Sequence, residues 1–128
     1  MAAAPYIVRA LQAARAAAQA AIASKRARAL GTALEAAGHV RPAGSAAHHI
    51  VAGGHEAAAA GRAALERFGI GINEAVNGVF LPQATHAPLH TNAYYGAVNN
   101  ALAQATTRQE ALQVLQAIGQ RLAASTFP

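Results

Sequence analysis

The chain contains no cysteine, which excludes disulfide staples and thiolate metal sites. Any metal site must therefore be built from histidine or carboxylate. Carboxylate is itself scarce, with no aspartate and only five glutamates. No apolar run is long enough to span a bilayer, because Arg9, Arg15 and Lys25 interrupt the N-terminal stretch. The same charges break any secretory signal. The stretch before Glu35, basic and free of acid, superficially resembles an organelle transit peptide, but a plain amphipathic helix describes it better.

The charge balance is basic, at a formal +5 over 128 residues. That balance suits a polyanion such as nucleic acid or an anionic membrane surface. It equally suits a small domain that needs charge for solubility, and charge alone does not choose between them. The length allows one domain with a modest core. The alanine content, with Arg favoured over Lys, looks like coding bias and is not read as function.

Spacing predicts helix from about Ala3 to Ala37, ended by Gly38. Ile7, Leu11, Ala14, Ala18 and Ile22 form a weak apolar stripe, which Leu30 and Leu34 continue. Gly31 could divide this helix in two, and the cluster Lys25, Arg26 and Arg28 reads as a solvated face. The segment is either a connector from a longer chain or a brace for the domain behind it. Residues 38–45 are loop by composition and mark the best boundary. The expected division is residues 1–38 as an alanine-rich helical segment and 39–128 as the functional domain.

Within that domain Ala46–Val51 reads as a strand ended by Gly53-Gly54, and Glu56–Phe68 as a helix. Asn77-Gly78 is a tight-turn signal before a strand at Val79–Leu81, halted by Pro82. A helix is expected from about Pro88 through Leu102. A last helix, 107–124, opens at Thr107 with Glu110 in capping-box spacing. Its stripe Ala111, Leu115, Ile118 and Leu122 should face the core.

The chemistry concentrates in histidine. Adjacent residues on a strand point to opposite faces, so His48 and His49 are poorly placed to bind one ion alike. A division of labour fits better, one facing a metal and the other facing an attacking water. His86 and His90 are four apart, which on a helix puts both imidazoles on one face. With one strand histidine they would supply three nitrogen ligands and leave positions open for water and substrate. Pro88 biases Ala87 away from helical geometry, so His86 is expected just before the helix. His39 and His55 read as surface or structural residues.

Three blocks then carry a resemblance. They are Ala47-His48-His49-Ile50-Val51, the segment Gly69-Ile70-Gly71-Ile72-Asn73-Glu74-Ala75-Val76-Asn77-Gly78-Val79-Phe80-Leu81-Pro82, and His86-x-x-x-His90-Thr91-x-x-Tyr94-Tyr95-x-x-Val98. In this order they resemble the AHH family of the HNH, or His-Me finger, nuclease superfamily, which occurs as the C-terminal toxin domain of bacterial polymorphic toxins. The resemblance covers about Ala46 to Leu102 and says nothing of residues 1–40. It implies an α+β fold, a mostly helical domain around a small ββα-metal core with a short two-stranded hairpin. It implies His48, His86 and His90 as metal ligands, His49 as general base, and Asn77 as the residue that pins the loop and holds the base.

The implied reaction is metal-dependent endonucleolytic hydrolysis of a phosphodiester. DNA is preferred as substrate and RNA is possible, because activated water makes no use of a 2′-hydroxyl. The cofactor is one divalent ion, Zn, Mg, Ni or Mn; three imidazoles suit zinc or nickel best. Arg62 and Arg67 are candidate phosphate ligands, although arginine on an exposed helix is ordinary. Tyr94 and Tyr95 are candidates for stacking on bases, although a core role for one and a surface role for the other is the expectation. A toxin domain implies an acidic cognate immunity protein, delivery by a bacterial export system, and action in the cytoplasm of a target cell. Two other classes compete: a non-catalytic, zinc-stabilised nucleic-acid-binding module, and a helical interaction segment with incidental histidines.

Overall fold

Alanine is the best helix former, and in the computed structural model, which describes residues 5–128, helix α1 runs unbroken over Pro5–Ala36. Its expected start at Ala3 lies outside the described residues. Gly31 does not divide the helix. It makes room for Arg41, whose guanidinium a side chain at Gly31 would strike. Arg41 in turn hydrogen-bonds Glu35 at 2.8 Å and lies 4.7 Å over the Phe80 ring. Gly38 ends the helix at φ +96°, and the His39 N–H closes back onto the Leu34 carbonyl. The expected stripe Ile7, Leu11, Ala14, Ala18 and Ile22 is exposed. The buried positions of α1 are Leu30, Gly31 and Leu34.

Strand β1, Ser45–His49, pairs antiparallel with β2, Gly78–Pro82, with Ser45 opposite Pro82 and His49 opposite Gly78. Side-chain alternation puts Ala47, His49, Gly78 and Phe80 on one face, and His48, Val79 and Leu81 on the other. The first face carries the end of α1, where Leu30, Leu34 and Ala47 bury one another beside Phe80. Burial of each leucine is worth roughly 1.5–3 kcal/mol. The approach is close enough to require glycine: a Cβ on Gly78 would lie 2.6 Å from Leu30 Cδ1.

The second face meets the main core. Between the strands run a 3₁₀ turn at Glu56–Ala58, helix α2 at Ala59–Arg67, and a 3₁₀ turn at Ala75–Asn77. After β2 come α3, Gln83–His86, a 3₁₀ turn at Ala87–Leu89, α4, Asn92–Ala103, and α5, Arg108–Ala123. The single helix expected from Pro88 is thus interrupted. Pro88 sits in the 3₁₀ turn. Thr91 is extended and starts α4 afresh, its Oγ1 accepting the Tyr94 N–H at 3.2 Å. The turn expected at Asn77-Gly78 is a 3₁₀ turn, Ala75–Asn77, after which Gly78 opens β2.

Helix α5 matches its sequence pattern, with Ala111, Leu115, Ile118 and Leu122 buried against Ile50, Leu81, Val98 and Leu102 in one cluster. Thr107 caps it through the Glu110 N–H, while the Glu110 carboxylate reaches back to Thr106 rather than Thr107. The architecture is α+β, mostly helical with a two-stranded antiparallel sheet. Among the described residues no helix is long and apolar enough to cross a membrane.

Candidate active site

β1 stops at His49 because Asn77 captures the chain beyond it. Asn77 is fully buried. Its Oδ1 accepts the Val51 N–H at 2.9 Å, and its Nδ2 donates to the carbonyls of Val51 at 3.2 Å and Ile72 at 2.9 Å. Its own carbonyl accepts the Ile50 N–H at 2.8 Å. One side chain therefore ties the end of the His48-His49 strand to the loop that precedes β2.

His48 points into the core and is 1% exposed. Its Nε2 lies 2.8 Å from the Tyr94 hydroxyl, and that hydroxyl donates to the Ile50 carbonyl at 2.7 Å. With its one proton committed to Ile50, Tyr94 can only accept from His48. His48 therefore carries its proton on Nε2, and the lone pair sits on Nδ1. Nδ1 is the buried polar side-chain atom left without a partner among the described residues. Burial, reinforced by repulsion from His86, His90 and His49, pushes the His48 pKa down to about 3, so the lone pair stays available at neutral pH.

Two more imidazoles converge on the His48 ring, with ring centroids 5.0 Å away for His86 and 5.9 Å for His90. His86 ends α3 and His90 comes after the 3₁₀ turn, so they do not share a helix. The turn nevertheless brings their Nε2 atoms to 3.2 Å. One ligand atom from each of His48, His86 and His90 falls within 4.8 Å of the others. Two nitrogens on one tetrahedral zinc are about 3.3 Å apart, given Zn–N near 2.0–2.1 Å. The His86–His90 spacing fits that edge, and the unpartnered His48 Nδ1 supplies what a third ligand needs. Burial holds the pKa of both His86 and His90 below the ordinary histidine value. His90 Nδ1 is fixed by the Tyr95 hydroxyl at 3.0 Å, the kind of outer contact that orients a metal-binding imidazole.

His49 faces the other way, as strand alternation requires. Its Nε2–H donates to Asn73 Oδ1 at 2.8 Å, which leaves Nδ1 as the basic atom. Burial lowers its pKa, the Asn73 hydrogen bond opposes that shift, and the Arg26 charge adds to it. Although His48 and His49 diverge, each meets His86 and His90, His48 in the ligand cluster and His49 along a groove. His49, His86, His90 and Tyr95 line one groove of about 680 Å³, whose other wall is α1 through Gln19, Ile22 and Arg26.

Five residues expected from sequence thus come together: His48, His49, Asn77, His86 and His90. Arg62 and Arg67 do not join them. Arg62 donates to the carbonyls of Ala52 and His55 at 2.9 and 2.6 Å, and Arg67 donates to the Ala105 carbonyl while lying over Phe68. His55 caps a turn through the Ala57 N–H and stacks on Tyr95 at 4.4 Å. Tyr94 and Tyr95 do not divide between core and surface; both are buried, and both hydroxyls touch site histidines. Asn73 has no reading as a site residue in the sequence, and the two phenols are read there as base-stacking candidates or packing residues, not as partners of histidine. The nearest signals are the Asn73–Asn77 spacing and the position of the tyrosines just after His90.

A model of the AHH family, described as a nuclease family of the HNH/ENDO VII superfamily with conserved AHH, matches residues 30–123, well over half of the chain. The matched span holds Ala47-His48-His49 and every histidine of the cluster. No curated protein and no solved structure matches the chain.

Proposed function

The chain belongs to the AHH family of nucleases in the HNH/ENDO VII superfamily, and from that premise we propose that it is a metal-dependent endonuclease hydrolysing phosphodiester bonds, with DNA as its preferred substrate. The observation that carries this is the division of two adjacent imidazoles. His48 keeps an unpartnered, buried Nδ1 and clusters with His86 and His90, while His49, held at Nε2 by Asn73, lines the groove.

His48, His86 and His90 would hold one divalent ion. When bound, that ion would neutralise charge building on the phosphate and on the leaving oxygen. Neutral His49, held by Asn73, accepts a proton at Nδ1 from a water aligned for in-line attack. Asn77 fixes the backbone that carries both histidines. Three imidazoles point to zinc or nickel ahead of manganese or magnesium. The alternative, a non-catalytic zinc-stabilised binding module, calls for a closed set of four ligands. Here three histidines form the cluster, and His90 is exposed on the groove side.

We further propose that residues 1–38 act as a helical brace on the nuclease domain 39–128, supported by the burial of Leu30 and Leu34 on the hairpin. The wider setting is also a proposal: the toxin domain of a bacterial polymorphic toxin, exported to act in a target cell's cytoplasm and neutralised by an acidic immunity protein. The motif resemblance and the +5 charge support it. The test is incubation of the protein with supercoiled plasmid and with RNA, across zinc, nickel, manganese and magnesium, with and without chelator. Chelator-sensitive nicking of plasmid is expected. Binding without cleavage under every ion would favour the structural-zinc module.

A further inference from the structure

We propose that Arg26 of α1 binds a backbone phosphate of the nucleic acid at the rim of the His49 groove, which makes the N-terminal helix one wall of the substrate site. The inference rests on the nuclease reading and adds to it a residue outside the matched span 30–123.

Arg26 is half-buried and lies along the Gly53-Gly54 loop that comes after β1. The two glycines leave the room in which the Arg26 side chain lies, and a Cβ at either would push on it. A Cβ on Gly53 would lie 2.9 Å from Arg26 Cδ and 3.2 Å from Nε, and a Cβ on Gly54 would lie 3.0 Å from Nη1. The stem is thus seated, and the guanidinium is presented to the groove shared with His49, His86 and His90.

The guanidinium is also unclaimed. Arg41 pairs with Glu35, and Arg62, Arg67 and Arg121 each donate to backbone carbonyls. Among the described residues Arg26 has neither an ion pair nor a hydrogen-bond acceptor. A partly desolvated cation without a partner is unfavourable unless something else supplies the acceptor. The acceptor that fits an open fork of N–H donors beside a phosphodiester-cutting site is a phosphate oxygen pair.

The position is not left to a free helix. Arg26 and Leu30 are four residues apart and share a face. Leu30 is fully buried over Gly78, which lies opposite His49 in the hairpin. One packing contact therefore sets the distance between Arg26 and the proposed base.

The test uses the whole 128-residue chain made non-cleaving by His49→Ala, with Arg26→Gln or Arg28→Gln added. Arg28 belongs to the same basic cluster but lies about 200° around the helix from Arg26. Affinity for a short DNA duplex is measured at several salt concentrations. Arg26→Gln should weaken binding about fivefold to tenfold and reduce the slope of log K against log salt by about 0.9. Arg28→Gln should change neither. In the cleaving protein Arg26→Gln should raise KM, and Arg26→Lys should restore part of the loss. Unchanged affinity and slope in Arg26→Gln, or an equal loss from Arg28→Gln, would overturn the assignment of Arg26 alone, because the unsubstituted protein would still cut. A protein that neither binds nor cuts nucleic acid would overturn this inference together with the nuclease reading.

Discussion

Removing one oxygen atom, by Tyr94→Phe, probes how the fold prepares His48 for a metal. The Tyr94 hydroxyl makes two hydrogen bonds, 2.7 Å to the Ile50 carbonyl and 2.8 Å from His48 Nε2. Ile50 and His48 are each 1% exposed, so water cannot take its place. Each of the two groups left unsatisfied costs about 1–3 kcal/mol, so a loss of about 2–6 kcal/mol is expected in urea denaturation of the metal-free protein. The second effect is specific to the site. Without its acceptor, His48 is free to move its proton to Nδ1, the atom that would face the ion. Loss of such an outer partner typically weakens metal binding by about 10-fold to 100-fold. Competition titration against a chromophoric chelator measures that loss, and ¹⁵N shifts of the His48 ring report the tautomer directly. If Tyr94→Phe lost stability but bound metal as tightly as the unsubstituted protein, the hydroxyl would be a core hydrogen bond with no part in the site. If stability were also unchanged, the buried pair itself would be misread.

Asn77→Ala should cost about 3–5 kcal/mol in the same urea measurement, because Val51 and Ile72 lose three hydrogen bonds, two of them buried; a loss under about 1 kcal/mol would mean the loop holds itself. Acid should destabilise the metal-free protein. The folded His48 pKa lies near 3 against 6.5 for the free group, so the unfolded chain binds the extra proton first. The contribution is complete above about pH 6.5 and falls by about 1.4 kcal/mol per pH unit below it. Urea curves at pH 7.5 and 5.0 should therefore differ by about 2 kcal/mol or more, and a flat profile would contradict the burial of a neutral His48.

The parts legible in the sequence are those with local patterns. Helix α5 follows from a stripe at three- and four-residue spacing, and all four stripe residues are buried. The divergence of His48 and His49 follows from strand alternation alone. His86 and His90 are paired correctly in the sequence but for an incomplete reason. Pro88 and the Thr91 cap break the helix, and a 3₁₀ turn, rather than one helical face, brings the rings together. The contacts that tune the site are not legible. Asn73 reaches His49 across 24 residues, and Tyr94 reaches His48 across 46. Amide and phenol groups leave no periodic trace when they hydrogen-bond at such separations. The stripe on the first half of α1 has the opposite fault. Its spacing is helical, but among the described residues nothing covers Ile7 or Leu11, which are exposed. Placement of Arg26 depends on the Leu30–Gly78 approach, a tertiary contact that neither residue announces.

The central claim is that adjacent histidines do different work, and a paired measurement on two variants tests it. Metal stoichiometry and plasmid cleavage are measured together for His49→Ala and His90→Ala, beside the unsubstituted protein. His49→Ala should bind one divalent ion per chain and fail to cut, whereas His90→Ala should lose both the ion and the activity. Near-normal cutting by His49→Ala, or loss of metal from it, would contradict the division between ligand and base.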